Sequence, residues 1–207
     1  MITASIVLYN TEAESLKRVI DSYAPDQERK LYLIDNSPSI CTNIFAYSDY
    51  IEYTFVGKNV GYGAGHNIGI KKAIEQKSKY HIVLNPDLMF DKSVIDELIK
   101  YADEHTDVVY MLPKVIYPDG ELQYLCKLLP TSMDLIFRRF LPDIGIVKKW
   151  NDRYTLKDSG YDKIINPPCL SGCFMFMRTK TIAENQLFFD DRFFMYCEDF
   201  DLIRRLH

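Results

Sequence analysis

The apolar residues of the chain fall into short runs separated by stretches with helical spacing. Each run is four to six residues long, is rich in β-branched or aromatic residues and is followed by Asn, Gly or Pro, which is typical of buried strands. The runs predict five strands, at residues 5–9, 31–35, 51–56, 81–84 and 108–112.

Stretches with helical spacing follow three of these runs. The first helix is predicted to begin after Thr11, a candidate N-cap with Glu14 three residues later. Two more helices are predicted at about residues 67–76 and 93–105. Strands that alternate with helices predict a three-layer, Rossmann-like α/β domain with a mostly parallel central sheet.

The alternation stops after Pro118, and sheet-like runs return only at residues 173–178 and 188–196. No internal repeat or linker divides the chain. We therefore expect one domain over residues 1–207, with a first half at 1–118 and a second half at 119–207.

An insertion at about residues 127–157 has an unusual charge pattern. It holds seven basic and three acidic residues interleaved with large apolar ones. Two interpretations remain open: a small helical subdomain with a solvated basic face, or a surface that faces anionic lipid. The basic residues are Lys127, Arg138, Arg139, Lys148, Lys149, Arg153 and Lys157.

Composition excludes several classes of protein. With 47% apolar residues and a net charge of -4, the chain is neither a disordered tail nor a bulk nucleic-acid binder. No apolar run approaches the roughly 20 residues of a membrane-spanning helix, and no signal peptide is recognised, so we expect a cytoplasmic protein. Five scattered cysteines without a C-x-x-C pair predict neither a disulfide framework nor a zinc site.

Polar residues follow three of the predicted strands, namely Asn10, the pair Asp35 and Asn36, and Asn85 with Asp87. Because parallel strands bring their carboxyl ends to one edge of a sheet, these side chains are expected to converge there. Asp35 is suited to accept the imino N–H of uracil or thymine, and Asp87 to bind a divalent cation that bridges diphosphate oxygens. Each residue taken alone is better explained as a turn former at the end of a strand.

A glycine-rich stretch holds five glycines in residues 57–69. It precedes a predicted helix, so its backbone N–H groups are candidates for cradling a nucleotide. The first strand is not followed by G-x-G-x-x-G, and the chain contains neither a P-loop nor a G-x-S-x-G elbow. These absences argue against a dinucleotide-binding oxidoreductase, a P-loop NTPase and an α/β-hydrolase.

Taken in order, five motifs make the chain resemble the inverting GT-A-fold nucleotide-sugar glycosyltransferases of family 2, especially the bacterial rhamnosyltransferase-like group. The resemblance covers almost the whole chain. The motifs lie at residues 5–10, 33–37, 59–69, 84–87 and 194–204.

The resemblance implies a role for particular residues. Asp35 would read a pyrimidine base, Asp87 would bind Mg²⁺ or Mn²⁺, and Asp199, or with less support Glu198, would be the catalytic base. The aromatic run before these last acids is a candidate wall that keeps water from the site. The donor site would be lined by Tyr9, Asn59, Gly65, Asn67 and Asn85.

The implied reaction is transfer of a sugar from a TDP- or UDP-linked donor, with dTDP-rhamnose as the best guess, to a saccharide acceptor. It would be a metal-assisted inverting displacement in cell-surface polysaccharide synthesis. A lipid-linked acceptor would give the basic insertion a purpose and place the protein peripherally on the inner face of the plasma membrane.

Two departures from the family pattern keep an alternative open. Asn85 replaces the first acid of the Asp-x-Asp metal motif, and the chain ends at His207 within a predicted helix, which suggests a truncated C-terminus. A non-catalytic nucleotide-sugar binder or an inactive fragment is the alternative. A sugar nucleotidyltransferase is disfavoured because it should have its glycine-rich loop directly after the first strand.

Overall fold

The computed structural model describes residues 1–40, 48–129, 131 and 145–206. Within these ranges the chain forms strands and helices in the following order. The strands are β1 (Ile2–Leu8), β2 (Arg29–Asp35), β3 (Ile51–Phe55), β4 (Tyr80–Leu84), β5 (Tyr110–Met111), β6 (Cys126–Lys127), β7 (Cys169–Leu170) and β8 (Phe174–Arg178). The helices are α1 (Ala13–Tyr23), α2 (Tyr62–Glu75), α3 (Ser93–Glu104), α4 (Gly145–Tyr154), α5 (Thr179–Glu184) and α6 (Glu198–Leu206), with a 3₁₀ turn at Lys157–Ser159.

The central sheet has six strands in the order β3-β2-β1-β4-β8-β5. Strands β1 to β4 run parallel, and β8 lies antiparallel between β4 and β5. The predicted mostly parallel sheet is thus confirmed. The run at 108–112 shortens to two residues of strand, and residues 188–196 form turns and bends rather than a strand.

Helices cover both faces of the sheet. Residues of α1 and α3, such as Leu16 and Ile95, pack with alternate residues of β1 and β4 on one face. Ile70 of α2 and Leu202 of α6 pack with Val83 of β4 on the other. The central strands β1, β4 and β8 are therefore buried on both faces, as expected for a three-layer domain, while the edge strands β3 and β5 are partly buried.

The helix predicted at about 67–76 begins earlier, at Tyr62, so most of the glycine-rich stretch is helical. The glycines allow α2 to lie close to its neighbours. A Cβ added at Gly69 would lie 2.5 Å from Ser5 Cβ, and one at Gly65 would lie 2.8 Å from Val7 Cγ2. The expectation of an open glycine loop before the helix is wrong, because these glycines serve helix-to-sheet packing.

The start of α1 also differs from the expectation. The helix begins at Ala13, and its N-cap residue Glu12 makes no capping hydrogen bond. Thr11 instead accepts a hydrogen bond from the backbone N–H of Tyr9 at 3.2 Å. Its hydroxyl therefore stabilises the turn after β1.

The polar face of β1 contacts two buried histidines. Ser5 Oγ lies 2.8 Å from His66 Nδ1 and 2.9 Å from His81 Nε2, and Thr3 Oγ1 lies 2.8 Å from His81 Nδ1. Burial lowers the pKa of His66 well below its usual value and the pKa of His81 to about 3. Both imidazoles are therefore neutral at pH 7.

Only part of the basic insertion lies in the described residues, and Arg138 and Arg139 fall outside them. The described part contains the helix α4, which buries Val147 and Tyr154 and exposes Lys148, and this arrangement is compatible with both interpretations. Among the residues that the structure describes, no helix has the length and apolar character needed to cross a membrane.

The buried histidines predict a pH-dependent stability. In the unfolded chain they bind protons near the ordinary pKa of about 6.5, but the native imidazoles resist protonation. The free energy of unfolding should therefore be fully retained above pH 6.5. It should fall as the pH drops toward 3, by at most about 1.4 kcal/mol per pH unit per histidine. Urea unfolding between pH 7.5 and 5.5 measures this slope.

The matched variant is His81→Gln, which retains a hydrogen-bonding side chain that cannot be protonated. Its slope should be smaller than that of the parent over the same range. Equal slopes in the two proteins would contradict the assignment.

Candidate active site

The carboxyl ends of the parallel strands bring the predicted polar residues to one edge of the sheet. Strands β1, β2 and β4 are neighbours, with β1 between the other two. Their ends place Asn10, Asp35 and Asn85 on that edge, as the sequence predicted. The polar groups therefore come together because the strands are adjacent in the sheet, although they are far apart in the chain.

Asp35 lines a cavity at the carboxyl end of β2. Its side chain is fully buried, with one oxygen accepting from the Ser37 N–H at 2.9 Å and the other accepting from the Tyr53 hydroxyl. The cavity has a volume of about 290 Å³. Tyr9 lies in the chain between two lining residues, Leu8 and Asn10, and is 53% exposed. The lining comprises Leu8, Asn10, Thr11, Leu16, Asp35, Ser37, Ser39 and Ile40.

The N-terminus of α2 is occupied by backbone groups of the protein. Gly61 has φ +93°, and a Cβ there would lie 2.2 Å from the Phe194 carbonyl oxygen. That oxygen accepts from the Tyr62 N–H at 3.1 Å. Asn59 contributes a turn, since its side-chain oxygen accepts from the Gly61 N–H at 3.0 Å. Asn59 thus holds the entry to the helix.

Asn67 lies in α2, where it supports a loop of the protein. Its amide donates to the Phe189 carbonyl at 2.9 Å and to Asp191 Oδ1 at 2.8 Å, and its oxygen accepts from the Phe189 N–H at 3.0 Å. Gly65 is buried against Val7. We therefore reassign Gly65 and Asn67 from the lining of a donor site to its support.

The end of β4 supplies Asn85 and Asp87. Asn85 is half-buried and donates its backbone N–H to the Cys173 carbonyl at 2.9 Å, while Asp87 is exposed. In the part of the chain that the structure describes, no group of three or more His, Cys, Asp or Glu side chains could hold a metal ion. One carboxylate fits a magnesium-like ion that takes its other ligands from water and substrate phosphates.

Two acids begin α6, as the sequence predicted. Asp199 is half-buried, and its carboxylate accepts from the Gly172 N–H at 3.1 Å and from the Phe200 N–H at 2.9 Å. Glu198 is 6% exposed, and its buried Oε2 has no hydrogen-bond partner among the residues that the structure describes. Burial raises the pKa of Glu198, and the nearby charge of Asp199 adds to that rise. Asp199 is thus the more accessible carboxylate of the two.

The residues before these acids do not form a closed wall. Phe194, Met195 and Tyr196 are 54%, 49% and 78% exposed. Tyr196 and Cys197 both have a left-handed backbone, with φ of 69° and 70°. The aromatic run therefore lies at the rim, where it leaves the site open to water.

Tyr62 and Gly172 were missed by the sequence interpretation. Burial raises the pKa of Tyr62 well above its usual value, with further contributions from Cys173, Asp199, Glu198 and Asp87. The acids of the β4 end and of α6 are thus near one hydroxyl group. The Tyr62 hydroxyl also donates to the Gly172 carbonyl at 2.7 Å. No local sequence pattern marks this contact, since the two residues are 110 positions apart.

Comparison with known proteins identifies the family. The sequence profile described as Glycosyl transferase family 2 matches residues 3–183. The low-salt glycan biosynthesis hexosyltransferase Agl10 of Haloferax volcanii is 25% identical over 203 residues, which cover 97% of this chain and 60% of the relative. The rhamnosyltransferase WbbL of Escherichia coli is 27% identical, with 97% and 75% covered. The chain thus spans less than two thirds of the Haloferax relative.

Solved structures confirm the expected GT-A fold. The structure of S. aureus TarS 1-349 has a TM-score of 0.66 at 17% identity, and the match covers 99% of this chain and 54% of the 1-349 chain. GalNAc-T7 with UDP, GalNAc and Mn²⁺ has a TM-score of 0.65 at 12% identity, covering 99% of this chain and 40% of that protein. Since the family profile matches most of the chain as well, the protein belongs to glycosyl transferase family 2.

Proposed function

We propose that the chain transfers a sugar from a pyrimidine nucleoside diphosphate to a saccharide acceptor. One observation carries the proposal: three aspartates lie around the same edge of the sheet, and each has different surroundings. Asp35 is buried at a cavity, Asp87 is exposed, and Asp199 is held by two N–H groups. The names of the relatives support transfer of a hexose or rhamnose, and TarS has been solved with UDP and with UDP-GlcNAc.

The cavity at the end of β2 would take the base. Tyr53 and the Ser37 N–H fix the Asp35 carboxylate, and its remaining lone pairs can only accept. The imino N–H of uracil or thymine is a matching donor. Adenine and cytosine have no imino N–H at the corresponding ring position, so the arrangement favours uracil and thymine nucleotides over these two.

The diphosphate would lie beside the end of β4, with Tyr9 and Asn85 at the donor site. Asp87 would hold a Mg²⁺ or Mn²⁺ ion. That ion would supply positive charge to the departing diphosphate.

Asp199 would act as the general base. It would remove the proton of an acceptor hydroxyl, whose oxygen forms a bond to the anomeric carbon as the bond to the diphosphate breaks. A single displacement of this kind inverts the anomeric configuration. Glu198 is less suited because it is buried, with a raised pKa that favours its protonated form.

The finer identity of the substrates follows from the relatives and the charge pattern. dTDP-rhamnose is the proposed donor because one relative is named a rhamnosyltransferase. A lipid-linked saccharide is the proposed acceptor, since the basic insertion suits an anionic membrane surface. This acceptor would place the enzyme in cell-envelope polysaccharide synthesis, at the inner face of the plasma membrane.

The second candidate is a nucleotide-sugar binder without turnover. The neutral Asn85 favours it, because that side chain brings no charge to the cation site. Release of nucleoside diphosphate from a TDP- or UDP-sugar separates the two candidates, since a binder retains affinity but releases no product.

Asp35→Asn should weaken binding of UDP and TDP by about 10- to 100-fold, because an amide N–H replaces an acceptor and a charged hydrogen bond is lost. Calorimetry with UDP, TDP and ADP measures the effect. Asp49→Ala, at an exposed acid, is the control. Unchanged affinity in a folded Asp35→Asn protein would leave Asp35 a turn residue.

Asp87→Ala should abolish the increase in nucleotide affinity that manganese produces, since its carboxylate is the proposed protein ligand. Affinity without metal should change little. The control is Asp91→Ala, which removes an exposed carboxylate four positions away. If manganese still strengthens nucleotide binding to Asp87→Ala, the metal ligand lies elsewhere.

Asp199→Asn should lower turnover by roughly 10²- to 10⁴-fold while donor binding persists, because the amide keeps the shape but accepts no proton. Release of nucleoside diphosphate measures turnover. Glu198→Gln is the paired variant and should retain more activity. An active Asp199→Asn beside an inactive Glu198→Gln would move the base by one residue, and two active variants would refute the mechanism.

A further inference from the structure

Tyr62 lies between the segment of Asn85 and Asp87 and the segment that contacts Asp199. Its hydroxyl donates to the Gly172 carbonyl at 2.7 Å, and the same oxygen lies 3.2 Å from the side-chain oxygen of Asn85. Asn85 belongs to the segment of Asp87, and Gly172 contacts Asp199. One hydroxyl therefore touches both the metal-binding side and the base side of the proposed site.

Gly172 is held from two directions. Its carbonyl accepts from Tyr62, and its N–H donates to Asp199 Oδ2 at 3.1 Å. A Cβ at this position would lie 3.3 Å from Asp199 Cβ and 3.7 Å from Tyr62 Cε1. The residue is thus packed between the tyrosine ring and the carboxylate, so displacement of Gly172 would displace its N–H from Asp199.

Tyr62 is itself firmly placed. Its backbone N–H donates to the Phe194 carbonyl at 3.1 Å, and its ring packs edge-on against His66 with 4.4 Å between ring centroids. Phe189 makes a second edge contact at 6.1 Å. Because its hydroxyl also remains protonated when buried, it is a permanent donor at a fixed position.

We propose that Tyr62 is a positioning residue, whose hydroxyl fixes Gly172 so that the Gly172 N–H holds the Asp199 carboxylate toward the segment of Asn85 and Asp87. The inference rests on the proposed role of Asp199 as the base. A base must be held close to its proton, and misplacement by about 1 Å can cost about 100-fold in rate. Tyr62 would thus affect turnover without touching the substrate.

The test uses Tyr62→Phe, which removes the hydroxyl and keeps the ring. Tyr161→Phe is the matched control, because its hydroxyl also lies 2.9 Å from backbone carbonyl oxygens, those of Cys126 and Thr155. The chain has nine glycines, so selective ¹⁵N-glycine labelling gives a simple amide spectrum. The Gly172 amide signal reports its bond to Asp199 directly.

Asp199→Asn should shift the Gly172 amide signal relative to the parent, because an amide replaces the carboxylate that accepts this hydrogen bond. Tyr62→Phe should move the signal at neutral pH and speed its hydrogen exchange, whereas Tyr161→Phe should do neither. A Gly172 signal that is unaffected in Tyr62→Phe would overturn the proposal. This readout requires no turnover.

Kinetics provide the second measurement. Tyr62→Phe should lower kcat by about 10- to 100-fold with an unchanged KM for the donor. Gly172→Ala, which retains the N–H but crowds Asp199, should lower kcat in the same way. If Tyr62→Phe keeps the kcat of Tyr161→Phe while Asp199→Asn is inactive, the positioning role is refuted and the proposed function stands.

The reverse outcome is also distinguishable. If Asp199→Asn turns over normally, or if the parent releases no nucleoside diphosphate from any donor, the proposed function fails. The Gly172 amide signal then still decides whether Tyr62 orients Asp199.

Discussion

The close approach of α2 to the sheet sets where several side chains of the site lie. Gly65 and Gly69 allow the helix backbone to meet Val7 and Ser5 of β1. With bulkier residues the helix would have to move outward, because protein interiors have no spare volume. Its position brings Tyr62 to the carboxyl edge of the sheet and His66 over Ser5. The glycine pattern therefore serves the site by placing a helix.

The acidic side chains around the site differ in their surroundings. Asp35 has hydrogen-bond donors at both oxygens and Asp87 is exposed, while Glu198 is buried with one oxygen that has no partner among the described residues. These different surroundings suit the carboxylates to different contacts. One edge of a sheet can therefore offer an acceptor for a base, an oxygen for a cation and an acceptor for a proton.

Local sequence patterns were enough to predict the parallel strands of the central sheet, the layers and the acids at the strand ends. Asn10, Asp35 and Asn85 could be placed because an apolar run and the turn residue after it are adjacent in the chain. Asn67 could not be assigned, since a polar residue among glycines looks the same whether it faces a ligand or the backbone of Phe189. The contact of Tyr62 with Gly172 depends on the whole fold, so no local pattern could reveal it.

The antiparallel strand β8 has a consequence for the folding of the chain. Strand β4 pairs on one edge with β1, which is synthesised before it. Its other edge pairs with β8, so that edge is covered only after Phe174 to Arg178 have been synthesised. Until then that edge offers unpaired backbone groups to other chains, a known route to aggregation. The pairing of β8 with β4 closes this edge, and Arg178 anchors the end of β8 to α3 and the segment after it by donating to the carbonyls of Ala102, His105 and Val108 at 2.7 to 3.2 Å. Strand β8, which begins two residues after Gly172, thus also protects the edge of β4 in the nascent chain. The edge of the sheet that holds the acidic residues is complete only when β8 has paired with β4.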